Sequence, residues 1–189
     1  MRSTSYYWAE ELSGEYLDEL IHKLETEYTL KPGKILVEGG TTNSKIRSTS
    51  MSFVYAQDFP EIWELGHRYI TEANCRSYNF DLTRIGDCQF AVYNSDTSDF
   101  YDWHVDSLAT GEVQDRKVTM VVQLSDPKDY EGGDLEFKFL NEHLKEESEV
   151  LKQRGTIITF PSYIAHRVTK VTKGVRKSLV FWMEGPAFR

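Results

Sequence analysis

The chain has 189 residues, 40% of them hydrophobic and 13% aromatic, which suffices for a packed core and excludes a disordered chain. Its formal charge of −8 speaks against non-specific nucleic-acid binding, which relies on Lys and Arg to neutralise phosphates. No apolar run approaches the roughly 20 residues that span a bilayer, and the N-terminus lacks the apolar core of a secretion signal. The expectation is a soluble, cytoplasmic protein with neither a membrane nor nucleic acid as partner. The two cysteines, Cys75 and Cys88, fit no zinc pattern and are expected as reduced thiols.

In chain order, Tyr16, Leu17, Leu20, Ile21 and Leu24 recur at helical spacing behind Ser13, an N-cap candidate, and predict a first helix. Asp58-Phe59-Pro60-Glu61 has the layout of a capping box, and Ile62, Leu65, Tyr69 and Ile70 would form the apolar stripe of a second. Between them, the Ser/Thr-rich stretch from Ile46 to Val54 is expected to be extended. From about Gln89 the period changes to two. Val118, Met120, Val122 and Leu124 alternate with Thr119, Val121 and Gln123, and Leu135, Phe137 and Phe139 alternate with Glu136 and Lys138. Turn signals at Ser125-Asp126-Pro127, Glu131-Gly132-Gly133 and Thr172-Lys173-Gly174 separate these runs, and 157–160 and 175–183 supply further strands.

The last strand is apolar on both faces, with Leu179, Phe181 and Met183 pointing one way and Val180 and Trp182 the other. Helices should therefore cover one face while the other lines a barrel interior. With no repeat or linker, the sequence reads as one domain over 1–189, with helical support over about 1–88 and a β core over about 89–189. The predicted class is α+β, a jelly roll backed by N-terminal helices.

His104-Val105-Asp106 lies where a strand is expected, so its imidazole and carboxylate would share a face. His166, in Ile164-Ala165-His166-Arg167-Val168, is the candidate third ligand. Two imidazoles and one carboxylate on a triangular face leave three positions open, the facial triad of non-haem Fe(II) oxygenases. Alone, His-x-Asp is a weak signal that reads more readily as a surface strand pair. His22, His67 and His143 fit helix faces or a loop, and His143 follows Glu142 without a second His at metalloprotease spacing. Arg176 shares a face with Ser178, Val180 and Trp182. Buried there it would be costly unless it met an anion. A 2-oxo dicarboxylic acid would supply one, chelating the metal at one end and pairing with the guanidinium at the other, with Ser178 donating a further hydrogen bond. Read alone, Arg176 is also compatible with a solvated residue after a turn.

Three stretches carry a family resemblance: Tyr101-Asp102-Trp103-His104-Val105-Asp106; Gln123-Leu124-Ser125-Asp126 through Glu131-Gly132-Gly133-Asp134-Leu135; and Phe160-Pro161-Ser162-Tyr163-Ile164-Ala165-His166-Arg167-Val168 through Arg176-Lys177-Ser178. In them the chain resembles the prolyl 4-hydroxylase group of 2-oxoglutarate/Fe(II) dioxygenases, including the PKHD-type hydroxylases. The resemblance implies a double-stranded β-helix, Fe(II) held by His104, Asp106 and His166, and 2-oxoglutarate held by Arg176. Tyr93 resembles the tyrosine that hydrogen-bonds this co-substrate, although its gap to His104 is about two residues longer than usual. Dioxygen as oxidant and ascorbate as reductant are implied too.

The implied substrate is a peptide or protein carrying the proline to be hydroxylated, with a free amino acid or small molecule as the alternative. Two loops flanking His-x-Asp are candidates to border it. One spans 94–103 with Asp96, Asp99 and Asp102; the other spans 107–117 with Gly111 as a hinge. Tyr101, Trp103 and Trp182 would line the substrate side or serve as plain core aromatics. Three rivals fit less well. A nucleic-acid demethylase on this scaffold would carry a second arginine where Trp182 stands, a halogenase would lack Asp106, and a non-catalytic binding module would have lost a ligand or Arg176.

Overall fold

Ser13 starts the first helix as its spacing predicts. In a computed structural model, which describes residues 5–33, 43, 45–107, 114–138 and 148–187, its hydroxyl accepts from the Tyr16 N–H at 3.3 Å and opens α1 (Gly14–Glu27). Helix α2 (Pro60–Ala73) has proline in its first turn, but its N-cap is Phe59 and no side chain caps it. The capping box expected at Asp58 does not form, because the Asp58 carboxylate instead accepts from the Tyr28 hydroxyl at 2.9 Å and tethers α2 to the end of α1. A wide turn over Asn74–Tyr78 follows and ends at Asn79, whose φ of 57° is left-handed.

Among the described residues, twelve strands form two antiparallel sheets. The larger has the order β1 (Tyr6–Trp8), β10 (Ile157–Pro161), β7 (Gln114–Gln123), β12 (Val171–Pro186), β5 (Arg84–Asn94), β4 (Ser50–Phe53) and β2 (Lys31–Pro32), with β8 (Tyr130–Gly132) paired to the near end of β12. The smaller has the order β3 (Arg47–Ser48), β6 (Phe100–His104), β11 (His166–Val168) and β9 (Leu135–Phe137). The extended stretch near Ile46 to Val54 is thus shared, β3 joining one sheet and β4 the other. The first 88 residues are therefore more than helical support, since their described part also contributes β1 to β4 and the start of β5 to the two sheets. Phe139, His143 and most of the 107–117 loop with Gly111 lie outside the described residues.

β12 is buried on both faces, as its composition requires. Leu179, Phe181 and Met183 pack with Leu17, Leu20 and Leu24 of α1 and Ile62, Tyr69 and Ile70 of α2. Val180 turns the other way, onto a cluster of Val121, Ile158 and Phe160 closed by Leu135 and Phe137 of the smaller sheet. The two sheets and their helical backing are the double-stranded β-helix expected of the sequence. Both cysteines are free thiols, Cys75 exposed and Cys88 buried. Among the described residues no helix is long and apolar enough to cross a membrane.

Gly66 sets how closely α2 approaches β12. A Cβ there would sit 2.8 Å from Cδ1 of Phe181, a ring fully enclosed by the core. Gly66→Ala should gain up to about 1 kcal/mol of helix propensity. It should nevertheless lose about 1–3 kcal/mol to overpacking, because the ring has nowhere to move. Urea unfolding should therefore show a lower midpoint for Gly66→Ala than for the parent.

Candidate active site

His104 and His166 are paired neighbours on β6 and β11, and this register brings their rings to 4.2 Å between centroids. In each, Nδ1 lies against a backbone carbonyl, Asp102 O at 2.8 Å for His104 and Ile164 O at 2.9 Å for His166. A carbonyl can only accept, so both Nδ1 atoms carry the proton and both Nε2 lone pairs face inward. Asp106 completes the group, with Oδ1 at 3.7 Å from His104 Nε2 and Oδ2 at 3.4 Å from His166 Nε2. One ligand atom from each of the three residues falls within 4.8 Å of the others. Neighbouring ligands of an octahedral ion with bonds near 2.1 Å lie roughly 3 Å apart, so a small inward movement suffices to clasp one. The donor set therefore fits a first-row divalent metal.

The strand ends earlier than the His-x-Asp pattern suggests. β6 stops at His104, and Asp106 stands on the bend beyond it. Its backbone N–H is held by Ser162 O at 2.8 Å, and its Oδ2 accepts from the Thr119 hydroxyl at 2.8 Å. Burial pushes the Asp106 carboxyl up. The imidazoles of His166 and His104 outweigh that and, with the Trp182 indole N–H facing it, hold Asp106 below the ordinary carboxylate value. Trp182 Nε1 is buried without a hydrogen bond of full geometry, so its influence is mainly that of an aimed dipole. His104 moves down to about 4, first because it is buried and then because His166 sits beside it. Tyr101 stacks on the His104 ring, centroids 3.5 Å apart and planes within 10°.

The same cavity holds Arg176, lined also by Arg47, Gln89, Tyr93, Tyr101, Val121, Leu135, Val168, Ser178, Val180 and Trp182. Arg176 is only 1% exposed. One amino group donates to Gln123 Oε1 at 2.9 Å, and Nη1 makes a long contact of 3.4 Å with the Ser178 hydroxyl. Its buried Nε has no hydrogen-bond partner in the protein. An unspent donor on a buried cation fits an anionic group bound in the cavity, such as a carboxylate. Tyr93 is the cross-strand neighbour of Arg176, its ring 5.4 Å from the guanidinium carbon. Burial raises the Tyr93 phenol, with Arg47 and Arg176 opposing. The close turn at Gly133 (φ +62°) matters here, because a Cβ would meet Arg176 Cδ at 2.9 Å.

All six residues singled out from the sequence, His104, Asp106, His166, Arg176, Tyr93 and Ser178, line this one cavity. His22 and His67 are exposed on α1 and α2, away from it. The supposed loop over 94–103 is part strand: it opens on the last residue of β5, passes a short 3-10 turn, Ser95–Thr97, and enters β6 at Phe100. Its Asp99 is a buried tie, accepting from Asn94 N–H, Thr97 and Ser48, and does not face a substrate. Tyr101 and Trp182 line the cavity; Trp103 is instead turned to Arg167, 4.7 Å away. Sequence reasoning missed Arg47, Gln89, Thr119 and Gln123. The signal was available for the last two, polar residues each flanked in the strand by apolar ones, Val118 and Met120 or Val122 and Leu124.

The His104 shift gives a pH signature. Between about 6.5 and about 4 the unfolded chain binds a proton that folded His104 refuses, so its contribution to stability is complete above about 6.5 and is lost as pH falls towards about 4. Denaturant unfolding of metal-free protein from about pH 7.5 to about 4.5 should show this decline, and His104→Gln should flatten it.

Residues 88–184 match the family described as the 2OG-Fe(II) oxygenase superfamily. A PKHD-type hydroxylase of Synechococcus sp. (strain CC9902) is 36% identical over 93 residues, 49% of this chain and 40% of that protein. The match thus spans less than half the length of that curated relative. Among solved structures, a Pseudomonas putida prolyl-4-hydroxylase superposes with a TM-score of 0.71 at 19% identity, covering 97% of this chain and 94% of that one. The viral collagen prolyl hydroxylase from Paramecium Bursaria Chlorella virus-1, solved as a 2OG complex, gives 0.72 at 18% identity and covers 97% of each chain. At such identities these two speak for the fold. With its described residues arranged as that fold and over half its length matching the family, the chain belongs to the 2OG-Fe(II) oxygenases, enzymes whose cofactors are Fe(II), 2-oxoglutarate and O₂.

Proposed function

We propose that this enzyme hydroxylates an unactivated C–H bond of a peptidyl proline, with Fe(II) on His104, Asp106 and His166 and 2-oxoglutarate anchored by Arg176. The observation that carries this reading is the meeting, in one cavity, of an open face of two imidazoles and a carboxylate with a buried, incompletely bonded guanidinium. When bound there, Fe(II) and 2-oxoglutarate would supply the oxidising chemistry, 2-oxoglutarate being decarboxylated to succinate and CO₂ with one atom of O₂ going to the succinate and the other to the substrate carbon. Ascorbate would serve as the reductant that keeps the iron ferrous.

The chain's own part is placement. The backbone carbonyls of Asp102 and Ile164 fix which ring nitrogen each histidine presents. Gln123 steadies Arg176 so that its free N–H groups point into the cavity, where they can grip a carboxylate in two-pronged fashion, with Tyr93 and Ser178 as further donors. Val121, Leu135, Val168 and Val180 keep the cavity dry, which strengthens each of these polar contacts. Along the chain Val105, 45% exposed, stands between two of the ligands, and Tyr163, 50% exposed, sits on the turn leading to the third. Exposed apolar side chains this near the candidate ligands in the chain would suit an extended peptide whose proline ring needs an apolar contact. The two structural neighbours, a prolyl-4-hydroxylase and a collagen prolyl hydroxylase, support the same substrate class, and the PKHD-type relative supports hydroxylation.

Arg176→Ala should weaken 2-oxoglutarate binding by roughly 2–5 kcal/mol, since the distal carboxylate would be buried without its charged partner. Arg176→Lys should recover only part of this, an ammonium being unable to match the paired geometry. Isothermal titration with 2-oxoglutarate at saturating metal checks both, and an unchanged affinity in Arg176→Ala would remove the anchor assignment.

Proline-containing peptides should raise succinate release above the peptide-free background and gain about 16 Da by mass spectrometry, the mass of one inserted oxygen, whereas free L-proline should do neither. Stimulation by free proline alone would replace the peptidyl substrate with an amino acid.

A further inference from the structure

We infer that Thr119 and Ser162 form a directed pair of hydroxyls that holds Asp106 in its metal-binding orientation and thereby sets the affinity of the site. This rests on the reading of His104, Asp106 and His166 as the metal ligands.

The two histidines need no such help. Each stands on a paired strand with its second nitrogen held by a backbone carbonyl. Asp106 has no strand beneath it. The bonds from Asp106 N–H and Ser107 N–H to the single carbonyl of Ser162, at 2.8 and 3.0 Å, fix its backbone but leave the carboxylate free to turn about its side-chain bonds. What stops that turning is the Thr119 hydroxyl, 2.8 Å from Oδ2.

The direction of the pair follows from counting hydrogens. An ionised carboxylate only accepts, so Thr119 gives its one hydroxyl hydrogen to Asp106. Ser162 Oγ lies 3.0 Å from Thr119 Oγ1, and with that hydrogen already committed the serine must be the donor. Thr119 and Ser162 are both fully buried and Asp106 is 3% exposed, so water does not compete at either step. The chain of donors runs Ser162 to Thr119 to Asp106.

Ser162 also joins two ligands. It stands at the end of β10, four residues ahead of His166, with its N–H on Lys117 O at 2.9 Å. One residue therefore clamps the Asp106 backbone through its carbonyl, steadies through its hydroxyl the threonine that holds the Asp106 side chain, and begins the turn that delivers His166. Thr119 and Ser162 are positioning residues acting through Asp106.

Co(II), whose visible absorption reports ligand geometry, serves as the probe, with calorimetry for affinity. Thr119→Val keeps the volume and removes the donor. It should weaken Co(II) binding by about 10- to 100-fold and alter the visible bands, the usual scale for losing a partner of a metal ligand. Thr119→Ser should restore affinity and spectrum, which a purely steric role for the threonine would not. Ser162→Ala should give a smaller loss. Because serine acts through threonine, the double variant should bind Co(II) no more weakly than Thr119→Val alone.

Parental affinity in a folded Thr119→Val, no rescue by Thr119→Ser, or additive losses in the double variant would each overturn the relay. Should Thr119→Val fail to fold by near-UV circular dichroism, Ser162→Ala decides: parental affinity and spectrum overturn the relay, and a weakened, altered site supports it. A parent protein that binds no Co(II) would instead overturn the reading of the triad as ligands, a failure visible before any variant is made.

Discussion

A guanidinium 1% exposed inside a β-barrel is the constraint from which most of this structure follows. Taking such a charge out of water costs several kcal/mol unless it is surrounded by acceptors and an anion. β12 can carry Arg176 inward only because β7 offers Gln123 opposite, β5 offers Tyr93 alongside, and the β8–β9 turn has glycine where any side chain would strike the arginine stem. Even so, one donor is left over. The cavity is thus built around an incomplete ion pair, and an incomplete pair in a dry site selects a ligand by its charge and by the spacing of its oxygens.

The two sheets divide the work. The larger, braced on its outer face by α1 and α2, supplies the anchor end of the cavity, and its rigidity comes from the core around Phe90, Met120 and Phe181. The smaller supplies both imidazoles, side by side because β6 and β11 are neighbours in register. Asp106 belongs to neither. It leaves β6 and is held by Thr119 of the larger sheet and by Ser162 just past β10, so this carboxylate is the stitch between the layers.

The sequence was most legible where burial was two-sided or chemistry had few alternatives. Leu179, Phe181 and Met183 against Val180 and Trp182 announced a strand covered on both faces, and β12 is one. His104, Asp106, His166 and Arg176 could be picked out because few other arrangements excuse those groups in an apolar setting. Less legible was anything decided by a tertiary partner. Asp58 has the chemistry of a cap, but the Tyr28 hydroxyl across the helix pair claimed it. Asp99 read as a loop carboxylate and became a buried tie, because β6 begins a residue later and draws the loop inward. Arg47, in a two-residue strand, carries no periodicity from which to infer that it lines the cavity.

The placement of β12 between β5 and β7 also governs how the protein must acquire this form. Each of those pairings joins segments far apart along the chain, so the large sheet cannot zip up from a local hairpin. Such topologies fold on the slower, millisecond-to-second scale, since loop entropy is lost before the contacts that offset it exist. Until β12 docks, β5 and β7 present bare edges to each other's copies in neighbouring molecules, and the ring of Phe181 has not yet sealed the core beneath Gly66. The strand that brings Arg176 inward is thus also the keystone of assembly, and crowded or hot refolding would be diverted towards intermolecular pairing at the gap it leaves.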